Sequence, residues 1–308
     1  MSETGAAGNL EVADGATTRS LPFESTVGHL LRRAQQRHTA LWTAEFGGEL
    51  TGPQYAVLSV LKSQNALDQR VLGEATSLDK STVADVIARL ERHQWVARQT
   101  DPADARRNLV TLTAPARAAL LSLTAQAGTV QEQLLSAVPG AQQSRLVELL
   151  ALIAYSGTVP IEQSAYGVLP LPTTPGHLLR RAEQLHGAVW ADLVGASVTP
   201  SQFALLCAIS SVPGASQAEA STLASLDKSS GADIVARLSR RGLLTFDRDA
   251  RDARRKVVHL SPAGVDLLAE TSPVVSAVQD RLLDPLSGPD EREALVSGLR
   301  TIAYAELR

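Results

Sequence analysis

Apolar side chains recur at intervals of three and four along most of this chain, and the pattern runs through once and then starts again. Over 27–46, Leu30, Leu31, Ala34, Leu41, Trp42 and Phe46 share one face of a 100° wheel. Arg32, Arg33, Gln36 and Arg37 fall mostly off that face, which predicts a long amphipathic first helix. A second helix opens at Thr51-Gly52-Pro53-Gln54, where the threonine can cap and the proline fits the first turn. A short third helix is expected over 71–76, and a fourth is capped by Asp79 and buries Val83, Val86, Ile87 and Leu90. Residues 95–99 and 108–113 read as two strands around the charged turn DPADARR, followed by helices over 115–137 and 142–155. From residue 175 the order returns. Helices are expected over 175–194, from Thr199, over 218–223 and from Asp227. Strands over 243–246 and 256–260 then flank DARDARR, and helices over 263–283 and 290–306 close the chain.

LDKSTVADVIARL starts at Leu78 and LDKSSGADIVARL at Leu226, an offset of 148 positions. The same offset carries His29 to His177, Trp42 to Trp190, Gln54 to Gln202 and Asp104 to Asp252 with no gap, as in a tandem duplication. Two repeats over 25–155 and 175–308 suit a chain of 308 residues, at roughly 100–200 residues per domain. Residues 1–24 are rich in Gly, Ala, Ser, Thr and acids without an apolar period, and read as a disordered tail. Residues 156–174, which are proline-rich and aperiodic, read as an extended linker.

Composition narrows the fold class. Hydrophobic residues make up 44% and aromatic residues only 4%, so helices packed through Ala, Leu and Val are favoured over a β-sandwich. A formal net charge of −3 means that any affinity for nucleic acid must come from local patches. The single cysteine, Cys207, excludes an intramolecular disulfide framework and suits a reducing cytosol. No signal peptide or membrane-spanning run is recognisable, so a soluble, cytoplasmic protein without a membrane partner is expected.

Three helices, a β turn-and-return and then long helices form the order of a winged helix-turn-helix. The stretch LDKST…ARLERHQWVARQTDPADARRNLVTLT closely resembles the MarR family of bacterial transcriptional regulators, with its D-K-S-T recognition-helix start, D-P-x-D-x-R wing and closing L-T. The resemblance covers 28–155 and again 176–304. It implies a mainly α fold with small β wings: two tandem winged helix-turn-helix domains forming an intramolecular pseudo-dimer. The family generally works as dimers of single-repeat subunits, so the fusion is unusual.

Helix N-termini meet base edges and phosphates when a helix enters the major groove. That places Lys80, Ser81 and Thr82, with Asp85 and Arg89 further along, and Lys228, Ser229, Ser230 and Arg237 in the second repeat, as candidate contacts to double-stranded DNA. Free backbone N–H groups at that end can bind phosphate. On the wing, Arg106 can enter a narrow minor groove while Asp104 orients it; Asp252 and Arg254 repeat that family pair, with Arg107 and Arg255 beside them. Arg98, a phosphate contact by resemblance, becomes Phe246. Gln94 replaces the glycine usual in the family before the first wing strand, and the second repeat keeps it as Gly242. Val83 becomes Gly231, which shortens a side chain at the DNA end of the helix. The heads then read unequal half-sites; the alternative is drift, with the second head supplying mostly phosphate affinity.

HLLRRAQQRHTALW and HLLRRAEQLHGAVW are also repeated. His38 and His186 fall within the apolar face, whereas His29 and His177 fall on the polar side. Each buried imidazole is either a satisfied core histidine or part of a pocket. By resemblance to the family's effector site, Trp42 with His38 and Arg32 (or Arg33), and likewise Trp190 with His186 and Arg180, would hold a small aromatic carboxylate effector. Cys207, on an apolar helix without a nearby cation, reads as an inert core thiol. No metal-ligand spacing, cofactor motif or catalytic set stands out, so no cofactor and no enzyme is expected. A ligand-responsive repressor on a pseudo-palindromic operator is the leading reading; a winged-helix protein-interaction module is the alternative.

Overall fold

The computed structural model describes residues 23–101, 104, 108–160, 166–248 and 256–306. The wing-tip residues Arg106, Arg107, Asp252, Arg254 and Arg255, and all but the last two residues of the expected tail, lie outside them.

In the first repeat, a 3-10 turn at Phe23–Ser25 leads into α1 (Val27–Phe46), α2 (Gly52–Gln64), β1 (Ala66–Asp68), α3 (Gln69–Thr76) and α4 (Lys80–Arg92). Strands β2 (Val96–Thr100) and β3 (Asn108–Leu112) form the wing, followed by α5 (Ala114–Leu135) and α6 (Gly140–Ala154). A second 3-10 turn, Leu171–Thr173, opens the other repeat. It comprises α7 (Pro175–Leu193), α8 (Pro200–Ser211), α9 (Gln217–Leu223), α10 (Lys228–Arg240), β4 (Leu244–Arg248), β5 (Lys256–Leu260), α11 (Pro262–Leu283) and α12 (Pro289–Tyr304).

The local causes are those the sequence carries. Thr51 with Gln54, and Thr199 with Gln202, close capping boxes that fix where α2 and α8 begin. Both α4 and α10 end on a residue in the left-handed region, Gln94 at φ 58° and Gly242 at φ 72°. In both, the next N–H reaches back to the helix, Trp95 to Leu90 O and Leu243 to Leu238 O, and the chain turns directly into the wing. The first wing has three strands in the order β1-β3-β2, and the second pairs β4 with β5. A three-residue strand carries too little alternation to be read from sequence, so β1 was not foreseen; its counterpart is a single bridge between Ser216 and Val257.

Three apolar cores result. Each winged lobe has its own, one around Leu58, Ile87 and Val110, the other around Leu206, Leu238 and Val258. The third belongs to both repeats. It unites Leu30, Leu31 and Ala34 of α1 and Leu149 and Ile153 of α6 with Leu178 and Leu179 of α7 and Leu295, Leu299 and Ile302 of α12. The connector is no loose tether where it is described. Val168 and Leu171 sink into the first lobe's core, and Ser59 Oγ donates to Leu169 O at 3.2 Å. No helix among the described residues is long and apolar enough to cross a membrane.

Candidate nucleic-acid interface and paired pockets

The two recognition helices begin alike. Asp79 accepts from the backbone N–H and hydroxyl groups of both Ser81 and Thr82, and Asp227 does the same with Ser229 and Ser230. These bonds, the hydroxyl ones foremost, hold both carboxyls far below the usual carboxylate range. The expectation of free N–H groups there is therefore corrected. The cap has taken those of Ser81, Thr82, Ser229 and Ser230, and the serine and threonine hydroxyls offer a partner only their lone pairs. Lys80 and Lys228 are exposed at the same helix ends, with Asp85 and Arg89 exposed along the first helix. Arg237 is exposed but paired with Asp233 one turn earlier. On the wings, Arg98 lies 3.4 Å from Glu91, Asp104 is half-buried, and Phe246 stands 41% exposed in Arg98's place.

The exchange of Val83 for Gly231 is also corrected. Both residues are buried and face the preceding helix, away from any DNA side. A Cβ on Gly231 would come within 2.3 Å of Ser221 Oγ, whereas Val83 packs beside Gly73, the residue matching Ser221. Bulk has moved from one helix to the other, and the recognition surface is untouched by it.

The polar face of α1 and α7 holds the two repeats together. Arg32 donates to Ala224 O at 2.6 Å, Arg33 to Ser225 Oγ at 2.9 Å, and Gln36 to Ser225 O at 3.0 Å. Reciprocally, Arg180 donates to Thr76 O and Ser77 O at 2.8 and 2.9 Å, and Arg181 to Ser77 Oγ. Each first helix thus pins the opposite repeat's helix-turn-helix at the left-handed serine between its two helices, Ser77 or Ser225, both at φ 54°. His29 and His177, on the polar side of their helices as the sequence places them, are nevertheless buried in these joints. Nδ1 of His29 accepts from Arg32 and Nδ1 of His177 from Arg180, which leaves each Nε2–H facing a hydroxyl, Ser225 and Tyr155 respectively. Burial first, then the adjacent arginines, push both imidazoles down to about 3, so they are neutral at ordinary pH.

His38 and His186 sit at the crossing of α1 with α7. The His38 ring lies on Gly176 and the His186 ring on Gly28, so close that a Cβ on either glycine would fall within 2.5 Å of the ring. Beside each is a pocket. The first, about 120 Å³, is lined by His38, Trp42, Tyr55, Gln131, Leu171 and Arg180. The second, about 30 Å³, is lined by Phe23, Arg32, His186, Trp190, Phe203 and Gln279. The residue types match the sequence-based set, but the grouping differs. Each arginine serves the other repeat's histidine and tryptophan, because the helices cross. Sequence order alone gives no sign of such an exchange. Gln131 was also missed; its amide accepts from Gly176 N at 2.8 Å and lies 3.4 Å from His38 Nε2. The indoles are fixed alike, Trp42 to Leu50 O and Trp190 to Val198 O at 2.7 Å, and one face of Trp42 is already covered by Phe46. Cys207 lines the second pocket as a buried thiol pushed up to about 12 by burial, as suits an inert core residue.

Family profiles described as MarR family match residues 50–107 and 196–255. Transcriptional regulator HosA of Escherichia coli O111:H- is 37% identical over 122 residues, which are 40% of this chain and 90% of that protein. The chain belongs to the MarR family. The HTH-type transcriptional repressor NicR of Pseudomonas putida is 30% identical over 142 residues, 44% of this chain and 90% of that protein. Among solved structures, PcaV of Streptomyces coelicolor in complex with its natural ligand shows 34% identity, covers 45% of this chain and 97% of its own, and superposes with a TM-score of 0.43. BpsR of Bordetella bronchiseptica, described with regulation of DNA binding by 6-hydroxynicotinic acid, shows 32% identity over 41% of this chain and 95% of its own at a TM-score of 0.38. Every relative named here is about one repeat long, so the MarR-family unit occurs twice in this chain.

Proposed function

We propose that the chain is a ligand-responsive transcriptional repressor, binding a pseudo-palindromic operator through its two fused winged heads and released by a small aromatic acid. Regulators make up the curated relatives, and exposed lysines with identical caps stand at the start of both recognition helices. Two such helices in successive major grooves would read half-sites about 10 base pairs apart. Lys80, Ser81, Thr82, Arg89 and Arg98 would serve one half-site, and Lys228, Ser229, Ser230 and Arg237 the other, with Arg106 and Arg254 as wing contacts.

The observation that carries the ligand response is the double engagement of Arg180. Arg180 lines the first pocket, and its guanidinium donates to Thr76 O and Ser77 O, just ahead of Asp79 and the recognition helix. A carboxylate entering beside Trp42 and His38 offers that cation a stronger acceptor than two neutral carbonyls. Ligand binding and a pinned recognition helix then compete for one arginine. Inverting a 99:1 population takes a roughly 10⁴-fold difference in ligand affinity between the two states.

Footprinting on DNA upstream of the chain's own gene, with and without hydroxybenzoates and 6-hydroxynicotinate, tests the reading. Two protected half-sites that vanish with ligand are expected; absence of protection, or protection indifferent to every acid, contradicts it. In mobility-shift titrations, Arg106→Ala with Arg254→Ala should weaken operator binding at least tenfold.

A further inference from the structure

The two pockets descend from the same sequence and keep the same His, Trp, Arg and Gln, yet they differ at several positions of their walls. Gly52 borders the first pocket, where a side chain would begin in van der Waals contact with His38, at 3.7 Å, and with Trp42. Its counterpart is Pro200, whose ring lines the second. Leu171, in the turn before α7, matches Phe23 in the turn before α1. Phe23 is the larger group, and its ring sits 4.8 Å from that of His29 in the second pocket's wall. Tyr55, which bonds Thr124 and the Leu169 N–H through its hydroxyl, matches Phe203, which has none. The remaining volumes are about 120 and 30 Å³. An apolar cavity of ~150 Å³ takes benzene, whereas a few tens of Å³ hold only a water or two.

Charge separates them again. Gln35 lines the first pocket, with its amide oxygen buried and no hydrogen-bond partner among the described residues. Its counterpart Glu183 is a carboxylate near enough to Arg32 for each to shift the other's titration. An acid therefore stands near the second pocket's cation at the position where the first pocket has the neutral amide of Gln35.

Resting on the effector reading above, we infer that each chain takes one aromatic carboxylate, in the first repeat's pocket against Arg180, while the second pocket is closed by the chain's own Phe23 and Pro200. A homodimer of one repeat has two equivalent sites by symmetry; this fusion has one. The response to ligand is then hyperbolic, with no cooperativity between pockets.

The experiment uses the full chain labelled with 5-fluorotryptophan, whose three tryptophans Trp42, Trp95 and Trp190 give separable ¹⁹F resonances, assigned by single Trp→Phe variants. Benzoate, 4-hydroxybenzoate and 6-hydroxynicotinate are titrated, with calorimetry in parallel. The expected result is saturable movement of the Trp42 resonance, a Trp190 resonance that stays in place, and a stoichiometry of one. Gly52→Pro should abolish binding while leaving the melting transition cooperative. The triple variant Phe23→Ala, Pro200→Gly, Glu183→Gln should raise the stoichiometry to two, whereas Glu183→Gln alone, with Phe23 and Pro200 still filling the space, should leave it at one. Two equal sites in the unmodified chain, or movement of Trp190 alone, would overturn the inference while leaving the effector reading standing. Silence of every resonance towards all three acids would remove the effector reading itself, and the inference with it.

Discussion

Gly231 and Ser221 illustrate how a single substitution is absorbed by its neighbour. A Cβ at 231 would press on the Ser221 side chain, whereas the first repeat accommodates Val83 because Gly73 lies opposite. Gly231→Val alone should therefore cost about 1–3 kcal/mol through overpacking. Adding Ser221→Gly should recover that loss, since it restores the arrangement in which Val83 packs beside Gly73 and exchanges one helical glycine for another. Urea denaturation of the two singles and the double closes the cycle; additive effects would contradict the packing account. Gln94 is the opposite case, a side chain held at φ 58° where the second repeat has Gly242 at φ 72°. Gln94→Gly should raise stability by about 0.5–1 kcal/mol. The buried histidines set a pH dependence. His29 and His177 fall to about 3, and His38 and His186 to about 4, against 6.5 for a free imidazole, burial being the first cause in each. Below pH 6.5 the unfolded chain takes up protons that the folded chain refuses. Stability is fully present above that pH and is lost progressively as pH falls towards 4. Denaturation midpoints at pH 7.5, 6 and 5 should descend in that order, and a flat series would contradict neutral burial.

At the scale of elements, α1 and α7 do three things at once: they fill the shared core, wall the pockets and pin the opposite helix-turn-helix. Arg32→Ala should raise hydrogen exchange across residues 221–231 of the opposite repeat while leaving 73–83 unchanged, because the bond it removes is to Ala224 O. Exchange rising equally in both stretches would point to general loosening instead. The apolar faces of these helices were legible because Leu30, Leu31, Ala34 and Trp42 keep a 3.6-residue period, and the starts of α2, α4, α8 and α10 because their caps are written in Thr and Asp. The polar face misled. Arg32, Arg33, Gln36 and His29 carry the period of a solvated surface, yet the second repeat supplies carbonyl and hydroxyl partners to all four and covers all but Gln36 at least in part. A window of sequence records polarity and says nothing of which distant backbone will satisfy it. The same gap explains why Arg180 was grouped with His186 when it sits with His38 and Trp42.

For the whole molecule, duplication followed by divergence is the governing fact. Apolar residues of α1, α6, α7 and α12 make one core from two repeats, so neither winged lobe is positioned independently of the other. The surfaces offered outward remain paired, Lys80 with Lys228, while the pockets inward have become unequal. Binding through two heads implies a salt dependence set by phosphate contacts from both. Lys80→Ala with Lys228→Ala should lower the slope of log K against log salt by about 2, and either single variant by about 1. A slope that responds only to Lys80 would mean that the second head does not touch DNA. The most direct test of the central claim is the mass of the complex on a footprinted operator, measured by sedimentation velocity as chain is added to duplex. The account predicts saturation at one 32.6 kDa chain per duplex covering both half-sites, with the 1:1 complex dissolved by an aromatic acid. Saturation at two chains per duplex, each occupying one half-site, would contradict it.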